Sequence, residues 1–403
     1  MKVGPWEVTR RGTVMRFAVR VEWEDQVREA ATIWFECADT LADRTRFDAN
    51  VALLSTFPLA MSTGERRLSI EGAVPPRLAD GVRMAMDLLA LRSDDLLPAQ
   101  LDVSEVGVLP AEEPSPRRAA LCLSGGVDAM AALQSNLDAM PAGHPARFRY
   151  GLFVFGLNSL DFADGQPVPA RVAAYEAHAA RLEACVAGLD ISLLRVSTNL
   201  RSLYPSFDAW ATLANNTPLA AIGHALRPII DALAIGSTGF GVATYTMQHP
   251  SFMDALFATH DLDVHPAQPS RTRLEKVRRL AAWPDGLAVL RVCFLLEIPR
   301  SGLQNCGHCE KCVRTKLALL VAGGDALARA PFPAGGVTAA QLDALPFLSR
   351  AVQTYYDELV DQLSAIDRTD LVAAIQRAFQ RFDAAQHARV KRTGWRGLWR
   401  RTP

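Results

Sequence analysis

Two short stretches of this sequence carry residue types at spacings that chemistry can use. Ser124-Gly125-Gly126-Val127-Asp128 stands between an apolar run, AALCLS, and a segment of helical periodicity, VDAMAALQSNLDAM. Adjacent glycines let the backbone turn sharply and bring its N–H groups close to a ligand. The helix start adds donors without intrahelical partners and the positive end of the helix dipole. Together these form an anion cradle suited to phosphate or pyrophosphate. Ser124 adds a hydroxyl donor, and Asp128 can hold Mg²⁺ against the phosphate. The plainer reading is a strand–helix turn with Asp as N-cap. The loop is neither the Walker A pattern, which needs Gly-Lys-Ser/Thr, nor the dinucleotide GxGxxG fingerprint.

The second stretch is CGHCEKC, which sets Cys306, Cys309 and Cys312 at i, i+3 and i+6. One tight turn can aim such thiols at a single point, and Cys293, thirteen residues earlier in LRVCF, can complete a tetrahedral site. Structural Zn²⁺ is the favoured reading, because four thiolates leave no open position for catalysis. An iron–sulfur cluster and a redox thiol relay use the same residue type and stay open. His308, between two of these cysteines, reads as solvent-facing, and Cys37, Cys122 and Cys185 read as ordinary buried residues. HDLDVHP gathers His260, Asp261, Asp263 and His265, but at neither helical nor strand spacing, and reads as a polar loop before a helix. Asn215-Asn216-Thr217 before PLAAIGHAL reads as an N-cap. Arg201 and Tyr204, in NLRSLYPSFDAW, are either substrate contacts over a cleft or parts of a connecting loop.

Residues 124–128 resemble the SGGxDS loop of the PP-loop ATP pyrophosphatases, with Ala129 where that family usually has Ser. The resemblance implies cleavage of ATP between its α and β phosphates and transfer of AMP to a substrate oxygen. Together with CGxCxxC it is similar to the 7-cyano-7-deazaguanine synthases of that superfamily, over about residues 118–320. Those enzymes adenylate a carboxylate and admit ammonia, and they bind zinc through four cysteines. The resemblance implies that Cys293, Cys306, Cys309 and Cys312 are the ligand set. It makes Arg273 and Lys276, in SRTRLEKV, candidate phosphate contacts of the catalytic step. It also sets Gly236, in AIGSTG, where the fourth strand of the fold meets the nucleotide. After that strand the chain reads GFGVATYTMQHPSF, unlike the family's substrate-binding sequence.

These residues need a scaffold. From residue 119 onward buried strands alternate with helices: AALCLS, then YGLFVFGL, ISLLRVST and DALAIGSTG, separated by amphipathic segments. A βαβαβαβ order implies a parallel, doubly wound sheet covered by helices, here of the adenine nucleotide alpha-hydrolase-like kind that the resemblance implies. Ligands bind such sheets at the carboxyl ends of the strands. Before it, MRFAVRVEW and ATIWFECAD alternate as antiparallel strands joined by an acidic turn, RRLSIEGAV is a further strand, and PRLADGVRMAMDLLALRS is an amphipathic helix. The expected organisation is an N-terminal α+β domain over 1–108, a Pro- and charge-rich linker over 109–118 and a nucleotide-binding domain over 119–290. A zinc-binding segment over 291–330 and a helical region with a basic tail over 331–403 follow.

Composition sets the partners. The 403 residues carry 43 basic and 43 acidic side chains, so no global field draws the protein to nucleic acid or an anionic membrane. The start lacks the apolar core of a secretion signal, and no stretch reaches the ~20 apolar residues of a membrane span. A cytoplasmic location is expected. The tail interleaves Trp395 and Trp399 with Arg396, Arg400 and Arg401, a pattern that can contact RNA or a partner protein, lie on an anionic membrane surface, or stay solvated. The leading expectation is an ATP- and Mg²⁺-dependent enzyme that activates a small-molecule carboxylate or carbonyl for attack by ammonia or another nucleophile. A tRNA-thiolating enzyme and an ATP-sensing, zinc-stapled interaction protein are the alternatives. An oligomer is compatible with all three.

Overall fold

In the computed structural model the described residues are 1–25, 27–91, 93, 96–105, 118–214, 216–237, 251–293, 304–346 and 350–398. The chain forms two compact units, Met1–Thr272 and Arg273–Pro403.

The first unit is built on one ten-stranded sheet. Its strands are β1 (Lys2–Arg11), β2 (Val14–Glu22), β3 (Ala31–Ala38), β4 (Arg67–Val74) and β5 (Gln100–Glu105). The later strands are β6 (Ala119–Cys122), β7 (Phe148–Phe155), β8 (Ser192–Thr198), β9 (Ala232–Gly236) and β10 (Asp263–Ala267). Their order is β10-β9-β6-β7-β8-β3-β2-β1-β4-β5. The five strands from β10 to β8 run parallel to one another, and β4 and β5 continue parallel from β1. Only the joins β8–β3, β3–β2 and β2–β1 are antiparallel. The protein is therefore mixed α/β with a mostly parallel sheet.

Helices α1 (Ala49–Thr63) and α2 (Pro76–Ala90) belong to the N-terminal half, and α3 (Val127–Ala139), α4 (Pro169–Val186) and α5 (Thr217–Leu226) connect the parallel strands. Winding runs from β6 outward to β7 and β8, then returns to the other side for β9 and β10. The direction reverses between β6 and β9, where doubly wound sheets open a crevice. Apolar runs such as AALC are buried at every position, as strands covered on both faces must be.

Residues 1–105 are not set apart from this sheet. β3 pairs with β8 at Phe35–Thr198 and Glu36–Ser197. One apolar core runs from Phe17, Phe35 and Leu53 to Ala120, Val196 and Ile235. The expected linker, 109–118, lies outside the described residues except for Arg118, whose N–H donates to Asp231 Oδ1 at 2.9 Å. Asn199 extends the join beyond the two backbone pairs: its Oδ1 accepts from Trp34 N at 2.9 Å and its Nδ2 donates to Thr32 O at 2.8 Å.

Two local expectations are corrected. Residues 263–267, read as part of a polar loop, form the edge strand β10, with Pro266 opposite Ile235. Proline lacks a ladder donor and is tolerated at an edge. Asn216 does sit at the N-cap of α5, yet its side chain does not cap; its Nδ2 donates to both oxygens of Asp254, at 2.9 and 3.1 Å.

The second unit contains α6 (Arg273–Ala281), α7 (Glu310–Ala322), α8 (Arg350–Ser364) and α9 (Thr369–Leu398). α7 packs on α6 and α8, and α8 on α9, where Tyr356 meets Phe379 edge-on with ring centroids 6.4 Å apart. Trp395 and Arg396 fall within α9, while Trp399, Arg400 and Arg401 lie outside the described residues.

Candidate functional site

The first unit carries the candidate anion site. β6 ends at Cys122, and the chain turns through Leu123, Ser124 and Gly125 into α3. Gly125 adopts φ +74°, a left-handed conformation natural to glycine. A Cβ there would also lie 2.4 Å from Nε2 of His178, whose ring on α4 is buried and hydrogen-bonds the Ser124 carbonyl at 3.0 Å. Gly126, not Asp128, occupies the N-cap; its N–H donates to Ser124 Oγ at 3.3 Å. Asp128 falls in the first helical turn, half-buried, where a carboxylate is favoured by the helix dipole. Val127 and Ala129 are buried.

Gly236 ends β9, the strand that pairs directly with β6. A Cβ on it would stand 3.2 Å from Ala129 N and from the Asp128 carbonyl carbon. The glycine is what lets the end of β9 close on the start of α3. The structure thus brings together Ser124, Gly125, Gly126, Val127, Asp128 and Gly236 at the reversal of strand order. Arg273 and Lys276 belong to the second unit, on α6, and are both buried there. The Arg273 guanidinium lies 5.8 Å from the Tyr355 ring centroid, and Arg314 approaches the same ring to 3.9 Å. Burial, and then the charge of Arg273, hold Arg314 below its ordinary pKa, and Glu310 answers it at 3.3 Å.

The candidate metal site lies in the second unit. The sulfurs of Cys293, Cys306, Cys309 and Cys312 all lie within 4.8 Å of one another. The Cys306–Cys312 and Cys309–Cys293 pairs stand 3.8 and 3.9 Å apart. A tetrahedron of thiolates about 2.3 Å from one zinc ion has edges of about 3.8 Å, so the four residues fit a single ion. These separations are far beyond a disulfide bond. The Cys309 N–H donates to Cys306 Sγ at 3.3 Å, and Cys309 stands at the N-cap position of α7, whose dipole favours thiolate charge. Cys293 is held low by hydrogen bonds from Cys306, Cys309 and Cys312; Cys309 and Cys312 are pushed up, chiefly by Cys293. Four thiolates this close require a cation to ionise together. His308 is exposed and bonds the Cys306 carbonyl, outside the ligand set.

Sequence reasoning passed over Asn305, which is wholly buried beside Cys306. Its Oδ1 accepts from the N–H groups of Val292 and Cys293, at 2.9 and 3.2 Å. Its Nδ2 donates to Leu290 O at 2.8 Å and Pro331 O at 3.0 Å. One amide thereby holds the distant fourth ligand against the knuckle. Its neighbourhood to Cys306 was the only local signal.

Asp254 was also missed. It is 1% exposed, and burial raises its carboxyl to about 7 against the opposing Asn216 hydrogen bond. Burial and the Asp254 charge push the Cys122 thiol upward, consistent with an inert core cysteine. His260, Asp261, Asp263 and His265 do not converge as a metal site among the described residues; His265 pairs with Asp263 at 2.8 Å. The GFGVATYTMQHPSF stretch lies outside the described residues up to Pro250. No helix among the described residues is long and apolar enough to cross a membrane.

No family model, curated protein or solved structure matches this chain.

Proposed function

We propose that the protein is a PP-loop-type ATP pyrophosphatase, similar to the 7-cyano-7-deazaguanine synthases, that adenylates a small-molecule carboxylate or carbonyl. The observation that carries this reading is the Ser-Gly-Gly turn at the carboxyl end of β6, closed by Gly236 where the strand order reverses. Left-handed Gly125 and the start of α3 form a cradle whose backbone N–H groups and helix dipole suit a pyrophosphate group. Asp128, in the first turn, would hold Mg²⁺ beside it, and the ion would offset the charge of the departing pyrophosphate.

In the reaction a substrate oxygen attacks the α-phosphorus of ATP, and the bond to the β-phosphate oxygen breaks. Ammonia or another nucleophile then attacks the activated carbon, and AMP leaves. The role of this chain is chiefly to position and stabilise charge, the dominant contribution in phosphoryl chemistry. The four-cysteine site is best read as structural zinc, which fixes its segment without entering the reaction.

The deciding experiment incubates the protein with Mg²⁺–ATP, ammonium and a metabolite pool containing 7-carboxy-7-deazaguanine, with nucleotide products identified by mass spectrometry. AMP and pyrophosphate, formed only with substrate, are expected; ADP and phosphate would overturn the assignment. Asp128→Ala should lower AMP formation at least 100-fold while zinc content stays unchanged.

A further inference from the structure

Burying a guanidinium commits a protein to supplying it with acceptors, because arginine stays charged at any ordinary pH. Arg227, whose side chain is 5% exposed, follows this rule, paired with Asp48 and Asp261. Arg201 does not. It is 6% exposed, three residues beyond the carboxyl end of β8, and no carboxylate or carbonyl among the described residues accepts from its side chain. Burial lowers its pKa, and among the described residues the charged or titratable group that acts on it is the phenol of Tyr204. Tyr204 is equally buried, and its hydroxyl has no hydrogen-bond partner among the described residues either. Both side chains meet Trp210: the guanidinium carbon lies 5.5 Å from its ring centroid, and the Tyr204 ring meets it edge-on at 5.0 Å. Trp210 opens a five-residue π-helical turn, Trp210–Ala214. Such turns are unfavourable to form and recur at functional sites.

We propose that Arg201, Tyr204 and Trp210 form a receptor for an oxyanion, a carboxylate or a phosphate, at the carboxyl edge of β8. The guanidinium offers parallel N–H donors that match two oxygens of such a group. The phenol adds a third donor, and Trp210 supplies a flat apolar face for the rest of the ligand. Both side chains are buried as wholes, yet their donor atoms are not fully enclosed and no protein acceptor among the described residues takes them, so they are open to the acceptors of a ligand. The position suits a substrate. β8 lies two strands from β6, roughly 10 Å at ordinary strand spacing, on the edge of the sheet where doubly wound proteins bind ligands. The receptor stands on its own observations and does not require loop 124–128 to bind ATP.

The test is thermal unfolding and calorimetric titration of the full chain with two probes, sodium benzoate for a carboxylate and inorganic phosphate. Arg201→Met is the main variant and Arg201→Lys the second. Wild type should bind one probe, and Arg201→Met should weaken that binding at least tenfold. Arg201→Lys, which keeps the charge but loses the paired donors, should fall between them. Without a probe, Arg201→Met should unfold at the same temperature as wild type or higher, since it removes a charge that no carboxylate among the described residues answers; a purely structural arginine would give a lower temperature. A loss confined to benzoate assigns the receptor to a carboxylate, and one confined to phosphate assigns it to a phosphate. The proposal is overturned if wild type binds neither probe, if Arg201→Met leaves both titrations unchanged, or if that variant is destabilised in the absence of ligand.

Discussion

Gly125 meets two constraints at once, a positive φ and the His178 ring against its Cα. A methyl group there must strain the backbone and displace a buried imidazole that also holds the Ser124 carbonyl. Gly125→Ala should therefore lower stability by about 1–3 kcal/mol and weaken nucleotide binding, measured by denaturant unfolding and calorimetry. Unchanged values for both would show that the turn is not held as described. Asp254 presents a different residue-scale case. Its ordinary value is 3.8 and its folded value about 7, raised mainly by burial, so folding favours its protonated form. Its favourable contribution is complete below pH 3.8 and is lost as pH rises through about 7. Asp254→Asn, neutral throughout, should gain stability relative to wild type across that window. Unfolding curves at several pH values would show the difference growing toward neutrality; a constant difference would exclude a buried, protonated carboxyl.

Elements are joined here by a few groups at strand ends. The antiparallel seam between β3 and β8 has two backbone residue pairs, and Asn199 supplies further hydrogen bonds with its side-chain amide. A side chain imitating a strand in this way is needed because the chain leaves the sheet at Thr198 to form the turn that carries Arg201. Asn199→Ala should cost about 1–2 kcal/mol, the range for two such bonds with a partly buried N–H left unpaired. Hydrogen exchange at Trp34 should rise in step, and protection of that amide in the variant would contradict the clamp.

At the scale of the whole molecule, each compact unit has its own fixing device. The first relies on one continuous apolar core under its sheet. The second ties the chain around Cys293 to α7 through four thiols and the Asn305 amide. Metal affinity depends on such surrounding hydrogen bonds as well as on the ligands. Loading zinc onto the four cysteines and then stripping it with a chelator should raise hydrogen exchange over residues 304–322 and leave the strands β6 to β9 protected. Asn305→Ala should release the ion at 10–100-fold lower chelator concentration. Equal retention in that variant would show that the ligand spacing alone holds the site.

Several features were legible in the sequence because their causes are local. CGHCEKC sets three ligands within one turn, SGGVD joins a strand to a helix, and the runs at 148–155, 192–198 and 232–236 are apolar enough to mark covered strands. Helix α1 was not read, since from Ala49 to Met61 it is buried on every side and has no polar face to reveal a period. β10 was hidden by its polar residues and proline, which only an edge position permits. Other features had no local cause at all. The pairing of Trp34 with Asn199 spans 165 residues, and Asn50 meets His224 across 174, with the Phe257 carbonyl bonded to the same ring from 33 residues away. The sequence by itself determined which segments turn, alternate and chelate, through interactions a few residues long. Tertiary structure alone decided that residues 1–105 share a sheet with the glycine loop, and that Asp254, His178 and Arg201 are buried. Those outcomes depend on which distant surfaces exclude water together, and no short window of residues contains that information.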